Sequence, residues 1–290
     1  VTAALLGHLA GGLTNVCRCW RVRRRDGVTL GFTDHDMALA FDGVAFRPEA
    51  GLAAGALMQG TGLAVDNAEA MGALSAEAIS EADLEAGRYD GAEVKVWLVN
   101  WMDVAARRVL FAGTLGEVRR GDGAFRAELR GLTEGLNLPG GRAYVRQCTA
   151  VLGDAGCRFD LGQAGYAAVW RPASIERSQR FVFAAVGGFQ PRWFERGRLF
   201  VQSGTGAGLA GVIKHDQTDA AGRRVIELWE PVRAEVLPGD EVRIEAGCDK
   251  RMETCRAKFA NVVNYRGFPF VPGEDWLVAI PATQAGVAAG

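Results

Sequence analysis

The sequence predicts a mainly β protein, assembled from small antiparallel barrel or sandwich domains with a few short helices. Short apolar runs rich in Val, Leu, Phe and Trp recur along the chain. Asp-Gly and Gly-rich pairs stand between them, and long amphipathic stretches of helical period are scarce. That rhythm of brief strands and tight turns is the pattern of antiparallel barrels and sandwiches.

The elements follow in chain order. Cys19 to Arg25 and Val28 to Phe32 flank Asp26-Gly27, while Ala38 to Phe41 and Val44 to Phe46 flank Asp42-Gly43. Asp-Gly is a strong hairpin signal because both central positions of the favoured two-residue turn take positive φ. Val94 to Trp101 is a further strand, and Val109 to Val118 pairs with Phe125 to Leu129 across Gly121-Asp122-Gly123. Leu199 to Gln202, Gly211 to Lys214, Val225 to Trp229 and Glu241 to Glu245 add short strands at regular spacing. Three helices are expected. Ser75 to Leu84 opens on a capping residue type with acids near its start. Val145 to Leu152 and Met252 to Val263 each lie beside a pair of cysteines. Turn chemistry puts a domain boundary near Pro139-Gly140-Gly141, and the closing TQAGVAAG is expected to fray.

Composition narrows the class. Lys and Arg number 33 against 34 Asp and Glu, so no bulk charge argues for a nucleic-acid or anionic-membrane partner. The apolar share of 49% over 290 residues is enough to bury a large core. No stretch approaches the about 20 apolar residues that span a bilayer, so no integral membrane segment is expected. The opening VTAALLGHLAGGLTNVC lacks a basic leader and is broken by glycines, which argues against a secretory signal. Folding is therefore expected in a reducing cytoplasm, where the 6 cysteines are free or metal-bound rather than disulfide-paired.

The spacing of the cysteines carries the main chemical signal. Cys148 and Cys157 form C-x8-C, and Cys248 and Cys255 form C-x6-C, with residues 158–247 between the pairs. Gly153, Gly156 and Gly247 stand beside them and let backbone turn tightly around a bulky object. Four thiolates suit an iron–sulfur cubane or zinc, since soft sulfur selects such metals. Zinc knuckles are usually tighter, with two to four intervening residues. Local disulfides and simple buried thiols also fit the spacing, the latter because free Cys is among the most buried residue types. Spacing leaves these alternatives open.

Other candidates have plainer accounts. Asp34-His35-Asp36 is the most enzyme-like triplet. On a strand, however, its carboxylates share one face and its imidazole takes the other, so turn-capping or intersubunit hydrogen bonds are the simpler role. Cys17 and Cys19 alternate on one strand face, opposite Trp20, and read as small core residues. Arg18, Arg21, Arg23, Arg24 and Arg25 form a basic run without interleaved aromatics, which argues against single-strand binding and favours a solvated strand face or subunit salt bridges. Gly204-Thr205-Gly206-Ala207-Gly208 lacks the Gly-Lys-Ser/Thr ending of a phosphate loop and reads as a turn. His8 and His215 lie in no metal-site pattern, and no Gly-x-Ser-x-Gly elbow occurs.

Several segments together resemble the conserved baseplate hub proteins of phages and gene transfer agents. They are Cys17-Arg18-Cys19-Trp20, Leu30-Gly31-Phe32-Thr33-Asp34-His35-Asp36, Asp83-Leu84-Glu85-Ala86-Gly87, Tyr89-Asp90-Gly91 and Val99-Asn100-Trp101. Leu152-Gly153-Asp154 and Cys157 extend this likeness, and the paired cysteine spacing resembles that of the lambda-type minor tail proteins, whose C-terminal domain holds a [4Fe-4S] cluster. The likeness covers most of the chain, though the gap between cysteine pairs is far longer here.

The resemblance implies a structural hub rather than an enzyme, made in the bacterial cytoplasm and incorporated at the tail tip of a phage-like particle. It implies a homotrimer joining a distal tail protein ring to a tip or fibre (central tail-tip) protein, with a tape-measure protein or peptidase as further neighbours. DNA passes through the lumen without specific binding. Cys148, Cys157, Cys248 and Cys255 are the implied ligands of a [4Fe-4S] cluster, with zinc as the fallback. The implied organisation is an N-terminal β-rich hub domain over 1–140, an α+β cysteine-rich cluster domain from 141–165 with 247–280, and a small β-barrel inserted over 166–246. The competing function is a metal-dependent cell-wall hydrolase at the tail tip.

Overall fold

A computed structural model describes residues 3–48, 53–54, 67–73, 79–121, 124–131, 141, 143–184 and 187–272. Two compact units divide the chain: residues 1–140 with 232–235, and residues 141–231 with 236–290.

The first unit opens with helix α1 (Ala3–Ala10). Strands β1 (Val16–Arg23), β2 (Thr29–Thr33), β3 (Leu39–Phe41), β4 (Val44–Phe46), β5 (Ala53–Ala54) and β6 (Asn67–Ala73) follow. After helix α2 (Glu81–Glu85) come β7 (Glu93–Asn100), β8 (Asp103–Gly121) and β9 (Ala124–Gly131). Seven of these strands form one antiparallel sheet in the order β2-β1-β7-β8-β9-β6-β5, and β3 and β4 pair as a separate hairpin. That hairpin turns on Asp42 (φ 51°) and Gly43 (φ 72°), the two positive-φ stations of a type I′ turn.

Alternation along β1 decides the packing. Trp20 and Val22 enter one core with Phe32, Val94, Val96, Phe111 and Leu129. Cys17 and Cys19 enter a second core on the other face with Trp97 and Val99, covered by Phe41 and Phe46 of the hairpin. The same alternation on β7 sends Val94 and Val96 into the first core and Trp97 and Val99 into the second.

The second unit contains β10 (Ala167–Trp170), β11 (Ser174–Glu176), β12 (Arg180–Phe183), β13 (Arg198–Val201), β14 (Ala210–Thr218), β15 (Arg224–Leu228) and β16 (Val242–Glu245). They form one sheet in the order β10-β16-β13-β14-β15-β12-β11. Leu199, Val201, Ile213, Ile226, Leu228, Val242 and Ile244 are buried at alternating positions, as a half-buried sheet requires. Helix α3 (Met252–Ala257) and a 3-10 turn, Val262–Asn264, complete the described chain. The mainly β class holds. The loop Gly204 to Gly208 closes the β13–β14 hairpin through bonds from the Ala207 N–H to the Gly204 carbonyl and from the Gly208 N–H to the Val201 carbonyl.

The expected helices need correction. Val145 to Leu152 is not helical. Its backbone groups are taken by distant partners: Cys148 N–H donates to the Lys250 carbonyl, Phe268 N–H to the Val145 carbonyl, and the Tyr265 hydroxyl to the Arg146 carbonyl. The helix expected over Met252 to Val263 ends at Ala257. Ala260 takes the left-handed conformation (φ 48°), and Asn261 N–H then donates to the Cys255 carbonyl, a left-handed C-terminal cap. Helix α2 begins after Ser80, whose hydroxyl accepts the Asp83 N–H; residues 75–78 of that expected helix lie outside the described residues. So do the turn residues 122–123, the boundary residues 139–140 and the tail 283–290. No helix among the described residues is long and apolar enough to cross a membrane.

Candidate metal centre

Cys148, Cys157, Cys248 and Cys255 line one cavity, together with Ala150, Leu152 and Phe259. All four are free of disulfides. The chain reaches this arrangement through local devices at each cysteine.

Cys148 and Cys157 are set by a loop that Asp154 ties together. The Asp154 carboxylate accepts the N–H groups of Val151 (2.8 Å), Gly156 (2.8 Å) and Cys157 (2.6 Å). These bonds, the Cys157 N–H first, hold the carboxyl below the usual carboxylate range, with Lys250 adding to the effect.

Cys248 is set by β16 and by a crowded glycine. After Ala246, whose N–H donates to the Tyr166 carbonyl, Gly247 donates to the Trp193 carbonyl at 3.0 Å. A Cβ at Gly247 would stand 1.6 Å from the Glu195 carbonyl oxygen, so only glycine fits there. Gly267 makes a similar approach, with a Cβ position 2.7 Å from the Arg146 carbonyl beside Cys148. Cys255 projects from α3 and is buried.

Each sulfur has an N–H neighbour. Arg266 N–H donates to Cys148 Sγ at 3.4 Å, and Asn261 Nδ2 donates to Cys157 Sγ at 3.5 Å. Burial pushes the Cys248 thiol up, against the opposing pull of the Lys250 N–H and ammonium. Burial and the charges of Cys248, Cys148 and Cys157 push Cys255 up to about 11, with the Asn261 N–H working the other way. Lys258 bonds the Trp193 carbonyl (2.5 Å) and the Gly247 carbonyl (2.9 Å) and lies 4.2 Å from the Trp193 ring centroid. Its burial lowers it to about 8.

This donor set fits an iron–sulfur cluster: four sulfurs, an apolar wall, N–H groups directed at sulfur, and lysines nearby to offset negative charge. Among the described residues, no three His, Cys, Asp or Glu side chains converge as ligands of a single ion. A cubane bonds each thiolate through a different iron, so its ligands stand further apart than those of one tetrahedral zinc.

The other motifs stay apart from this site. Asp34 accepts the Arg18 N–H at 2.6 Å, a bond to the neighbouring strand rather than to its own turn. His35 Nδ1 accepts the Met37 N–H at 2.9 Å, and its ring lies 4.9 Å from Trp101. Cys17 and Cys19 pack in the second core of the first unit. His8 Nε2 accepts the Asn15 N–H.

Sequence reasoning missed the supporting residues Asn261, Tyr265, Arg266 and Gly267. They bond or touch residues more than a hundred positions away, so no local pattern marks them. Asp154 had a legible signal, an Asp three residues before a cysteine, which suits a side chain that accepts the N–H groups following it.

The fold and this site define a class: a mainly antiparallel β protein with a cysteine-lined centre in its second unit. Residues 2–160 match the family model described as "Baseplate hub protein, N-terminal attachment domain", and the chain belongs to the baseplate hub protein family. Residues 192–275 match a second model, "Phage conserved hypothetical protein BR0599". The first cysteine pair thus falls within one match and the second pair within the other. A chain in the solved structure titled "Virion of native gene transfer agent (GTA) particle" is similar at 56% identity, covering 99% of this chain and 98% of that one, with a TM-score of 0.91. No curated protein matches the chain.

Proposed function

We propose that this chain is a structural tail-tip component of a gene-transfer-agent or phage-like particle, and that its four cysteines bind a [4Fe-4S] cluster that clamps the second unit. The near full-length similarity to a chain of a gene transfer agent virion supports the first part. The convergence of Cys148, Cys157, Cys248 and Cys255 on one cavity supports the second. In this reading a homotrimer joins a distal tail ring to a central tip or fibre protein, with a tape-measure protein or peptidase beside it. Its work is mechanical and geometric rather than catalytic. Residues 166–246 form a β insertion between the two halves of the cysteine-bearing segment.

The cluster's contribution is binding energy that exists only in the folded state and so adds to folding. The protein's own residues supply the rest. Asp154 fixes the first loop, Gly247 admits the close approach that sets Cys248, and Asn261 and Arg266 direct N–H groups at sulfur. The test is an ultraviolet–visible spectrum of anaerobically purified protein with iron, sulfide and zinc assays. The expected result is a brown protein with iron and sulfide in equal amounts, and loss of colour in Cys157→Ala. A colourless protein containing zinc or no metal overturns the cluster. Failure of the chain to cosediment with particles overturns the structural role.

A further inference from the structure

A second feature, in the first unit, has no part in the cysteine centre. A groove of about 590 Å³ is lined by Arg21, Arg23, Thr29, Gly31 and Arg47, with the turn residues Asp42 and Gly43 of the β3–β4 hairpin on its wall. Strand pairing puts Arg21 beside Gly31 and Arg23 beside Thr29 on one sheet face. On the other side of β1, Arg21 stands directly across from Lys95. Like charges at directly opposed positions repel, and both cations crowd the ring of Trp97, at 5.7 and 5.3 Å.

Among the described residues, none of Arg21, Arg23, Arg47 and Lys95 makes an ion pair. The carboxylate on the groove wall is already committed, since Asp42 Oδ1 accepts from Arg107 at 2.7 Å. One buried side-chain atom among the described residues lacks a hydrogen-bond partner, and it is Nε of Arg21. Buried donors are almost always satisfied, so the groove is built for an acceptor that the described residues do not provide.

The backbone indicates the form of that acceptor. Strand β2 is an edge of its sheet. Arg47 closes part of this edge: its N–H donates to the Gly31 carbonyl (3.0 Å), and its carbonyl accepts the Thr33 N–H (2.9 Å). Odd-numbered residues of β2 therefore turn their backbone groups outward, and Thr29, exposed at the groove, is the next such station. An edge station beside unpaired cations suits an extended segment that adds main-chain bonds and side-chain charge together.

We propose that this groove docks an extended, acidic segment of a partner protein, its carboxylates meeting Arg21, Arg23 and Arg47. The proposal rests on the particle reading only for the partner's existence, because docking is measured on the isolated chain. A walled groove with a strand edge favours such a peptide over a duplex, whose phosphates present a broad surface.

The test is fluorescence anisotropy with a short labelled peptide alternating glutamate and valine, its glutamine–valine counterpart, and a short duplex DNA. The expected result is saturable binding of the glutamate peptide alone, weakened about tenfold by Arg21→Glu and by Arg47→Glu. Arg108→Glu, the same charge reversal on the opposite sheet face, leaves it unchanged. If Arg21→Glu does not fold, the exposed Arg23 and Arg47 variants decide. Equal binding of both peptides, equal loss in Arg108→Glu, or tighter binding of DNA overturns the proposal. So does self-association of the chain that the charge reversals abolish, which marks a second copy as the occupant. Cosedimentation with particles is scored separately, so failure of docking and failure of the structural role are distinguishable.

Discussion

Gly247 and Asp26 illustrate how much single residues carry. The Cα hydrogen of Gly247 faces the Glu195 carbonyl at a distance no Cβ tolerates, and Cys248 is the next residue. Gly247→Ala must push β16 away from residues 195–197. Overpacking of this kind costs about 1–3 kcal/mol, so a lower denaturation midpoint and loss of the metal-dependent colour are expected together. Asp26 sits in the first Asp-Gly turn, where its carboxylate accepts from Arg24 (3.1 Å from Nε) and from the Val28 N–H. Arg24 in turn bonds Asp83, and Arg88 bonds both acids. The Arg24 bond first of all, with the Val28 N–H and Arg88, holds the Asp26 carboxyl below the usual carboxylate range. A depressed folded value means its stabilisation is complete above the unfolded pKa of about 3.9 and fades as pH falls through the folded value. Thermal melts of Asp26→Asn and the native chain should therefore differ at neutral pH and converge on acidification below that range.

At the scale of elements, the buried pair on β14 and β15 organises the loop that leads to the cysteine centre. Asp216 and Arg224 meet at 2.6 Å with side-chain exposures of 1% and 5%. The network is satisfied. Asp216 Oδ2 also accepts the Phe194 N–H, and the Arg224 guanidinium donates to the carbonyls of Phe189 and Gln190. It thus holds residues 189–194; Trp193 of this stretch and Glu195 just after it meet Gly247. Removing one partner strands a buried charge, at a cost of about 3–5 kcal/mol. Asp216→Leu is expected to lose that much in urea unfolding. Adding Arg224→Met should restore part of it, since the charge is gone but the loop's N–H and carbonyl groups stay unpaired.

The whole molecule depends on closing a long gap. Residues 158–247 separate the two cysteine pairs, and bringing the ends of so long a segment together carries an entropic cost that grows slowly with length. The seven-stranded sheet of the second unit already meets much of that cost, since β10 and β16 pair and bring Tyr166 and Ala246 together. Under the proposed function a cluster adds to a closure the sheet has begun. Cys157→Ala is then expected to raise hydrogen exchange in 143–165 and 247–272 while peptides from β1, β7 and β8 keep their protection. Uniform loss across both units would contradict this division.

Much of the fold was legible because its signals are local. The Asp42-Gly43 turn, the alternation in β1 and the strands β7, β8, β9, β13 and β15 rest on turn chemistry and a two-residue period. The short strands β10, β11 and β12 were not, since three or four residues are too few to show a two-residue period. The helix expected at Val145 to Leu152 failed because its carbonyls and N–H groups are bonded by residues 250 and 265–271 instead of by one another.

For the centre, the sequence alone determined which thiols to consider, because paired spacing and nearby glycines are written along the chain. Only the tertiary structure decided that the two pairs meet, that Asn261 and Arg266 stand at the sulfurs, and that Arg21 and Lys95 face one another. Those relations are made by strand register and by close backbone contact across the sheets. Such contacts form between segments whose separation along the chain leaves no periodic trace.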